Sequence, residues 1–155
     1  MIEYALENSS FSSTYWTAIL DESIGFVTKA THQSEFKRVV VGLGQKFNWF
    51  SSPNIFLFRI IQHGLLSCFQ DIVRHWIKVS KARVKCFQYC NQSLLYYACA
   101  CEQIEIARFL LEEINSSPDL QSNGETALIR CAKDGKVELC SLLLDYGANI
   151  LAENS

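Results

Sequence analysis

A repeat with a period of about 33 residues is the feature that most constrains the fold of this 155-residue chain. Residues 91–111 align without a gap on residues 124–144, and Ser93 falls on Thr126. A unit of this length cannot bury its apolar side chains alone, so it needs similar units stacked against it. The sequence therefore predicts a stacked array of similar units.

The later copy predicts two short helices separated by a glycine. The hydroxyl of Thr126 can cap the start of the first helix by accepting a hydrogen bond from a backbone N–H. Gly135 breaks that helix because glycine readily adopts the left-handed conformation of a turn. A second helix is predicted over Val137–Asp145, with apolar side chains at helical spacing. These are Leu139, Leu142 and Leu143.

This unit resembles the ankyrin repeat, which has a turn and two helices within about 33 residues and the pattern T-P-L-H-x-A. The pattern appears here as TALIRC at 126–131 and as SLLYYA at 93–98. Ala127 and Ile129 replace the proline and histidine of the motif in the later copy. The resemblance implies an all-α solenoid of paired short antiparallel helices with β-turn connections.

A third, degenerate copy is placed by aligning Ile61 with Leu95, so that Ile61 occupies the motif leucine. In that register Gly64 takes the position of a small residue, and Asp71–Ile77 forms the second helix. The chain is thus divided into an N-terminal helical cap or degenerate repeat at 1–56 and ankyrin repeats at 57–90, 91–123 and 124–155.

The last unit has the apolar pattern of an internal repeat rather than that of a polar cap. Three explanations stay open at this point. The chain is a piece of a longer array, or a partner covers the terminal face, or Cys140, Ser141 and Asp145 make that face polar enough for solvent.

The charge balance argues against nucleic acid and membrane as partners. The chain has 14 Lys and Arg against 16 Asp and Glu, a net charge of −2, so it is not a basic nucleic-acid binder. Its most apolar stretch, residues 54–69, is interrupted by Arg59, Gln62 and His63 and is shorter than a membrane span. A basic run at residues 74–85 is typical of a solvated helix end, with contact to an acidic partner as the alternative.

Seven cysteines without a cationic, signal-like N-terminus indicate reduced thiols in the cytoplasm, or in the host cytoplasm for a viral or bacterial effector. Cys86-x₃-Cys90 and Cys99-x-Cys101 do not have the spacing of two zinc knuckles. The other cysteines are typical of small buried side chains. We therefore predict no enzyme, no metal and no cofactor. The alternative is a thiol- or zinc-dependent enzyme or regulator with its chemistry in residues 1–90.

The resemblance implies a non-catalytic module that binds another protein, as a monomer or within a hetero-complex. Partners of such proteins dock on a concave face made by the turn tips and the first helix of each repeat. Tyr89 is the most attractive anchor, since tyrosine combines contact area with a hydrogen-bonding tip. Carried over by position, the docking residues are Tyr89, Cys90, Gln92, Ala100 and Cys101 in one repeat and Ser122, Asn123, Glu125, Lys133 and Asp134 in the next. The first repeat would add His63, Leu66 and Ser67.

Overall fold

The computed structural model describes residues 54–80 and 88–153. These residues form six helices and one two-stranded antiparallel sheet. The elements are α1 (Asn54–Gln62), α2 (Leu66–Ser80), β1 (Gln88–Tyr89), β2 (Gln92–Ser93), α3 (Leu94–Ala100), α4 (Ile104–Glu112), α5 (Ala127–Lys133) and α6 (Val137–Asp145). None of the helices in these ranges is long and apolar enough to cross a membrane. The predicted cap at 1–56 lies almost wholly outside the described residues.

The chain divides into two compact units, Met1–His75 and Trp76–Ser155. In the first unit, α1 ends at Gln62, and Gly64, two residues later, has a φ of +65°. The N–H of Gly64 donates to the carbonyl of Ile61 at 2.9 Å, and the N–H of Leu65 donates to that of Ile60 at 3.2 Å. This glycine therefore separates two helices.

The register predicted for the third copy is wrong. Ile61 lies at the end of α1 rather than near its start, and Gly64 is the break between helices rather than a packing position inside one. The second helix begins at Leu66 and has 15 residues, so it is longer than the predicted Asp71–Ile77. The left-handed conformation of Gly64 ends the first helix there.

In the second unit, α3 and α5 begin with the predicted hydroxyl caps. Ser93 Oγ accepts a hydrogen bond from the N–H of Tyr96 at 3.1 Å. Thr126 Oγ1 accepts one from the N–H of Ile129 at 3.3 Å. Each bond satisfies a backbone donor that has no partner within its own helix.

The two helix pairs also break in the same way. Gly135 has a φ of +69°, and Glu102, which occupies the equivalent position one repeat earlier, has a φ of +58°. The residue that follows each of them bonds back across the turn. The N–H of Lys136 donates to Cys131 and that of Gln103 to Ala98, both at 2.9 Å. The backbone of Glu102 thus adopts the left-handed conformation that Gly135 has in the later copy.

A tight turn precedes the first helix of each pair, α3 and α5. In the first, Gln88 pairs with Ser93 and Tyr89 with Gln92. Ser122 and Glu125 form the corresponding bridge of the second turn. The two central residues have positive φ in both turns, which a type I′ turn requires. They are Cys90 and Asn91 in the first turn and Asn123 and Gly124 in the second.

The helices of the second unit form pairs, and the pairs stack. α3 packs on α4 and α5 on α6, while α3 also contacts α5 and α4 contacts α6. The predicted all-α arrangement of paired short helices is thereby confirmed. The fully buried side chains at its centre include Ile106, Leu110, Leu139 and Leu143.

The outer side of the last pair carries apolar side chains in solvent. Leu144 on α6 is 42% exposed, whereas its equivalent Leu111 on α4 is 5% exposed. Ile150 and Leu151, in the turn that follows α6, are 74% and 81% exposed. These exposed apolar side chains correspond to the apolar pattern that the sequence shows in the last repeat.

Candidate functional site

The ten predicted docking residues lie at the two turn tips and at the C-terminal ends of α3 and α5. We call this surface, formed by residues 88–101 and 122–134, the inner surface. Its position follows from the fold, because each turn leads directly into the first helix of a pair.

Two serines join the turn tips. Ser122 is fully buried, and its Oγ accepts a hydrogen bond from the N–H of Ser93 at 3.0 Å. The Ser122 hydroxyl lies 3.3 Å from Ser93 Oγ, to which it donates. Ser122 was predicted to meet a partner, but its side chain is used inside the protein. The exposed tip of this turn is the neighbouring Asn123.

Tyr96 and Glu125 form a second link between the repeats. The Tyr96 hydroxyl donates to Glu125 Oε1 at 2.6 Å, and the tyrosine is almost completely buried. Burial, followed by the bond to Glu125, raises the pKa of Tyr96, so this hydroxyl stays protonated and remains a donor.

Glu125 also holds a lysine at the far end of α5. Lys133 Nζ lies 2.6 Å from Glu125 Oε2, and the carboxylate is largely covered while the lysine is half exposed. The ammonium of Lys133, followed by the hydroxyl of Tyr96, lowers the pKa of Glu125. Both oxygens of Glu125 are thus fixed, one by each repeat.

A second ion pair completes the charged part of the inner surface. Arg130 Nε lies 2.7 Å from Oδ2 of Asp134, the C-cap of α5, and both side chains reach solvent. Asp134 raises the pKa of Arg130, and Tyr96 contributes to the same shift. The two pairs, Lys133–Glu125 and Arg130–Asp134, leave the surface rich in charge but close to neutral.

The predicted residues of the earlier repeat surround the first tip and the end of α3. Cys90 is exposed in the turn, and Gln92, Ala100 and Cys101 are half-buried. Burial raises the pKa of the Cys101 thiol, with a hydrogen bond to Tyr97 acting in the opposite direction. The backbone of Tyr89 lies in β1, whereas its side chain is outside the described residues.

Sequence reasoning missed three residues of this surface: Ser93, Tyr96 and Arg130. Tyr96 occupies the histidine position of the T-P-L-H pattern, and this alignment was the available signal. The predicted residues His63, Leu66 and Ser67 belong to the first unit. His63 and Ser67 are exposed there and Leu66 is half-buried.

Within residues 54–80 and 88–153, no three His, Cys, Asp or Glu side chains are grouped to hold a metal ion. Cys86, which the zinc alternative requires, lies outside the described ranges. The alternative with chemistry in residues 1–90 likewise falls mostly outside the part of the chain that the structure describes.

The family model for ankyrin repeats, in three copies, matches residues 57–154. The chain belongs to the ankyrin-repeat family. No curated protein and no solved structure matches it significantly. Ankyrin repeats are generally protein–protein interaction modules, and the family is typically non-catalytic. In this ankyrin-repeat chain, the serine pair and the Tyr96–Glu125 bond tie one repeat to the next, and Tyr96 stands at the histidine position of the earlier motif.

Proposed function

We propose that this chain is a non-catalytic module that binds a partner protein through its inner surface, alone or as part of a larger protein or effector. The observation that carries the proposal is the fixation of Glu125 by Tyr96 from one repeat and by Lys133 from its own. A polar surface already held in place loses little conformational entropy when a partner docks.

The composition of the surface supports a protein rather than a highly charged ligand. Each of its two ion pairs carries no net charge. The turn residues Cys90 and Asn123 are also exposed on this surface. A mixed polar surface of this kind complements another protein surface of mixed charge. We keep the division into repeats 57–90, 91–123 and 124–155, and the inner surface lies on the last two of them and on residues 88–90. The free thiols support a reducing, intracellular location.

The test compares two charge reversals of the same sign in affinity capture. Lys133→Glu alters the inner surface, and its position is half exposed. Arg108→Glu is the matched control on α4, where the arginine forms a looser pair with Glu105 at 3.9 Å. Captured proteins are quantified by mass spectrometry for wild type and both variants, after thermal unfolding has shown that all three are folded.

We expect Lys133→Glu to reduce recovery of the specific partner by about tenfold or more, the range of a contact at the centre of an interface. Arg108→Glu should leave recovery unchanged. Equal recovery with both variants would remove the inner surface as the docking site. Tyr89→Ala tests the predicted anchor in the same assay and should also weaken capture.

A further inference from the structure

Two buried cysteines meet where neighbouring repeats stack. Cys99 lies on α3 and Cys131 on α5, each is 1% exposed, and the two helices pack directly on each other. The two thiols are close enough that each shifts the pKa of the other. Both cysteines are free, as is Cys140 on α6 nearby. The contact therefore brings together two sulfur atoms from different repeats, far apart along the chain.

The repeat shows that packing does not require sulfur at the position of Cys131. The residue equivalent to Cys131 in the earlier repeat is Ala98, which is fully buried. The residue equivalent to Cys99 in the last repeat is Ala132, which is exposed there. The earlier repeat has Ala98 followed by Cys99, and the later repeat has the reverse order, Cys131 followed by Ala132. The two cysteines therefore do not occupy equivalent positions of the repeat.

We propose that Cys99 and Cys131 are an oxidisable thiol pair, which hydrogen peroxide converts into a disulfide that links α3 to α5. The Cys131 sulfur attacks a peroxide oxygen, the O–O bond breaks, and the leaving hydroxide takes the thiol proton to give water and a sulfenic acid. The Cys99 sulfur then attacks the Cys131 sulfur, the S–O bond breaks, and hydroxide leaves with the Cys99 proton as a second water. The two thiols lose two electrons and the peroxide gains them.

The effect of each thiol on the other supports this division of roles. The neighbouring Cys99 thiol lowers the pKa of Cys131, which favours Cys131 as the attacking sulfur. The neighbouring Cys131 thiol, together with burial, raises the pKa of Cys99. Because both thiols are buried, a peroxide reaches them only when the stacked helices open locally, so we expect slower oxidation than at the exposed Cys90.

The disulfide would stabilise the inner surface without touching a partner. Cys99 follows Tyr96 within the same helix and Cys131 follows Arg130 directly, so the link would hold the two helices that carry the inter-repeat contacts of this surface. The inference concerns the stacking interface itself and does not depend on the proposed partner binding.

The experiment treats the full chain with limiting hydrogen peroxide, blocks the remaining thiols under denaturing conditions, and maps disulfides after trypsin digestion. Trypsin releases Cys131 in the tripeptide 131–133 and Cys99 in the peptide 86–108, which also holds Cys86, Cys90 and Cys101. The background is Cys90→Asn, because asparagine occupies the equivalent turn position at 123 and the exposed thiol can no longer cross-link two chains.

In that background, Cys99→Ala and Cys131→Ala each remove one partner and place alanine where the other repeat has it. Cys101→Ser is the matched control close to Cys99 in the sequence. We expect a mass that joins 86–108 to 131–133 in the background and in Cys101→Ser, and its loss in Cys99→Ala and Cys131→Ala. The linked protein should unfold at a temperature higher by roughly 5–15 °C, because the link closes a long loop. Reduction should reverse that shift.

Three results would overturn the inference. The first is a linked mass that survives Cys99→Ala or disappears in Cys101→Ser. The second is complete blocking of Cys99 and Cys131 as thiols after other cysteines have been oxidised. The third is a cross-link that forms without raising the unfolding temperature, which would mean that it does not hold the stacked helices of the folded protein together.

Discussion

At the scale of single residues, the left-handed Glu102 is a source of strain. Its φ of +58° costs a residue with a Cβ about 1 kcal/mol, whereas glycine adopts it freely. We expect Glu102→Gly to raise the free energy of unfolding by about 0.5–1 kcal/mol, since the exposed ion pair with Lys136 that it removes contributes little. Urea unfolding at pH 7 measures the change.

Gly135 provides the reverse experiment. A Cβ at Gly135 would contact no atom within 4 Å, so Gly135→Ala isolates the cost of the φ of +69°. That substitution should lower the free energy of unfolding by about 1 kcal/mol.

The control for Glu102→Gly is Lys136→Met, which removes the ion pair between Glu102 and Lys136 and leaves the backbone of residue 102 unchanged. If Glu102→Gly destabilises the protein more than Lys136→Met does, the strain argument is wrong.

The carboxyl group of Glu125 should make stability depend on pH. Because Lys133 and Tyr96 lower its pKa in the folded protein, its contribution to stability is present above the usual value of 4.5 and is lost as pH falls through the folded pKa. The difference in unfolding free energy between wild type and Glu125→Gln should therefore be clear at pH 7 and shrink towards zero at acidic pH.

At the scale of elements, the buried serine pair should stabilise the contact between the two turns. Ser122→Ala removes the acceptor of the Ser93 N–H in a site without solvent, which should cost about 1–3 kcal/mol in unfolding free energy. The exposed Ser117→Ala should change stability by less than about 0.5 kcal/mol. Denaturant unfolding of both variants tests this, and a loss in Ser122→Ala as small as that in Ser117→Ala would show that the backbone finds another acceptor.

Within one repeat, most helix starts, turns and helix ends could be predicted from the sequence. Thr126, Gly135 and the limits of α6 follow from capping, turn conformation and apolar spacing, all within one repeat. The contacts between repeats did not follow from the sequence. The Ser93–Ser122 and Tyr96–Glu125 bonds join residues of different repeats, so they depend on how closely the helices stack. The first unit was misread because its first motif positions lack the hydroxyl that fixed the register elsewhere.

At the scale of the whole molecule, a stack of repeats should not be equally stable along its length. Two helices with the same place in the repeat, α4 and α6, differ in burial. Ala107 on α4 is fully buried while its equivalent Cys140 is only half-buried, and Leu111 is far less exposed than Leu144. Local unfolding of α6 exposes less additional apolar surface than local unfolding of α4. The free energy of opening should therefore be lower for α6 than for α4.

Native-state hydrogen exchange measures this difference directly. We expect the protected amides of Val137–Asp145 to exchange about five- to tenfold faster than those of Ile104–Glu112, because a loss of about 1 kcal/mol of burial at Leu144 changes an opening equilibrium by that factor. Leu144→Ala should accelerate exchange in α6 only slightly, since almost half of that side chain is already in solvent, while Leu111→Ala should accelerate exchange in α4 strongly. Equal protection of the two helices in the wild type would mean that the repeats open together as one cooperative unit.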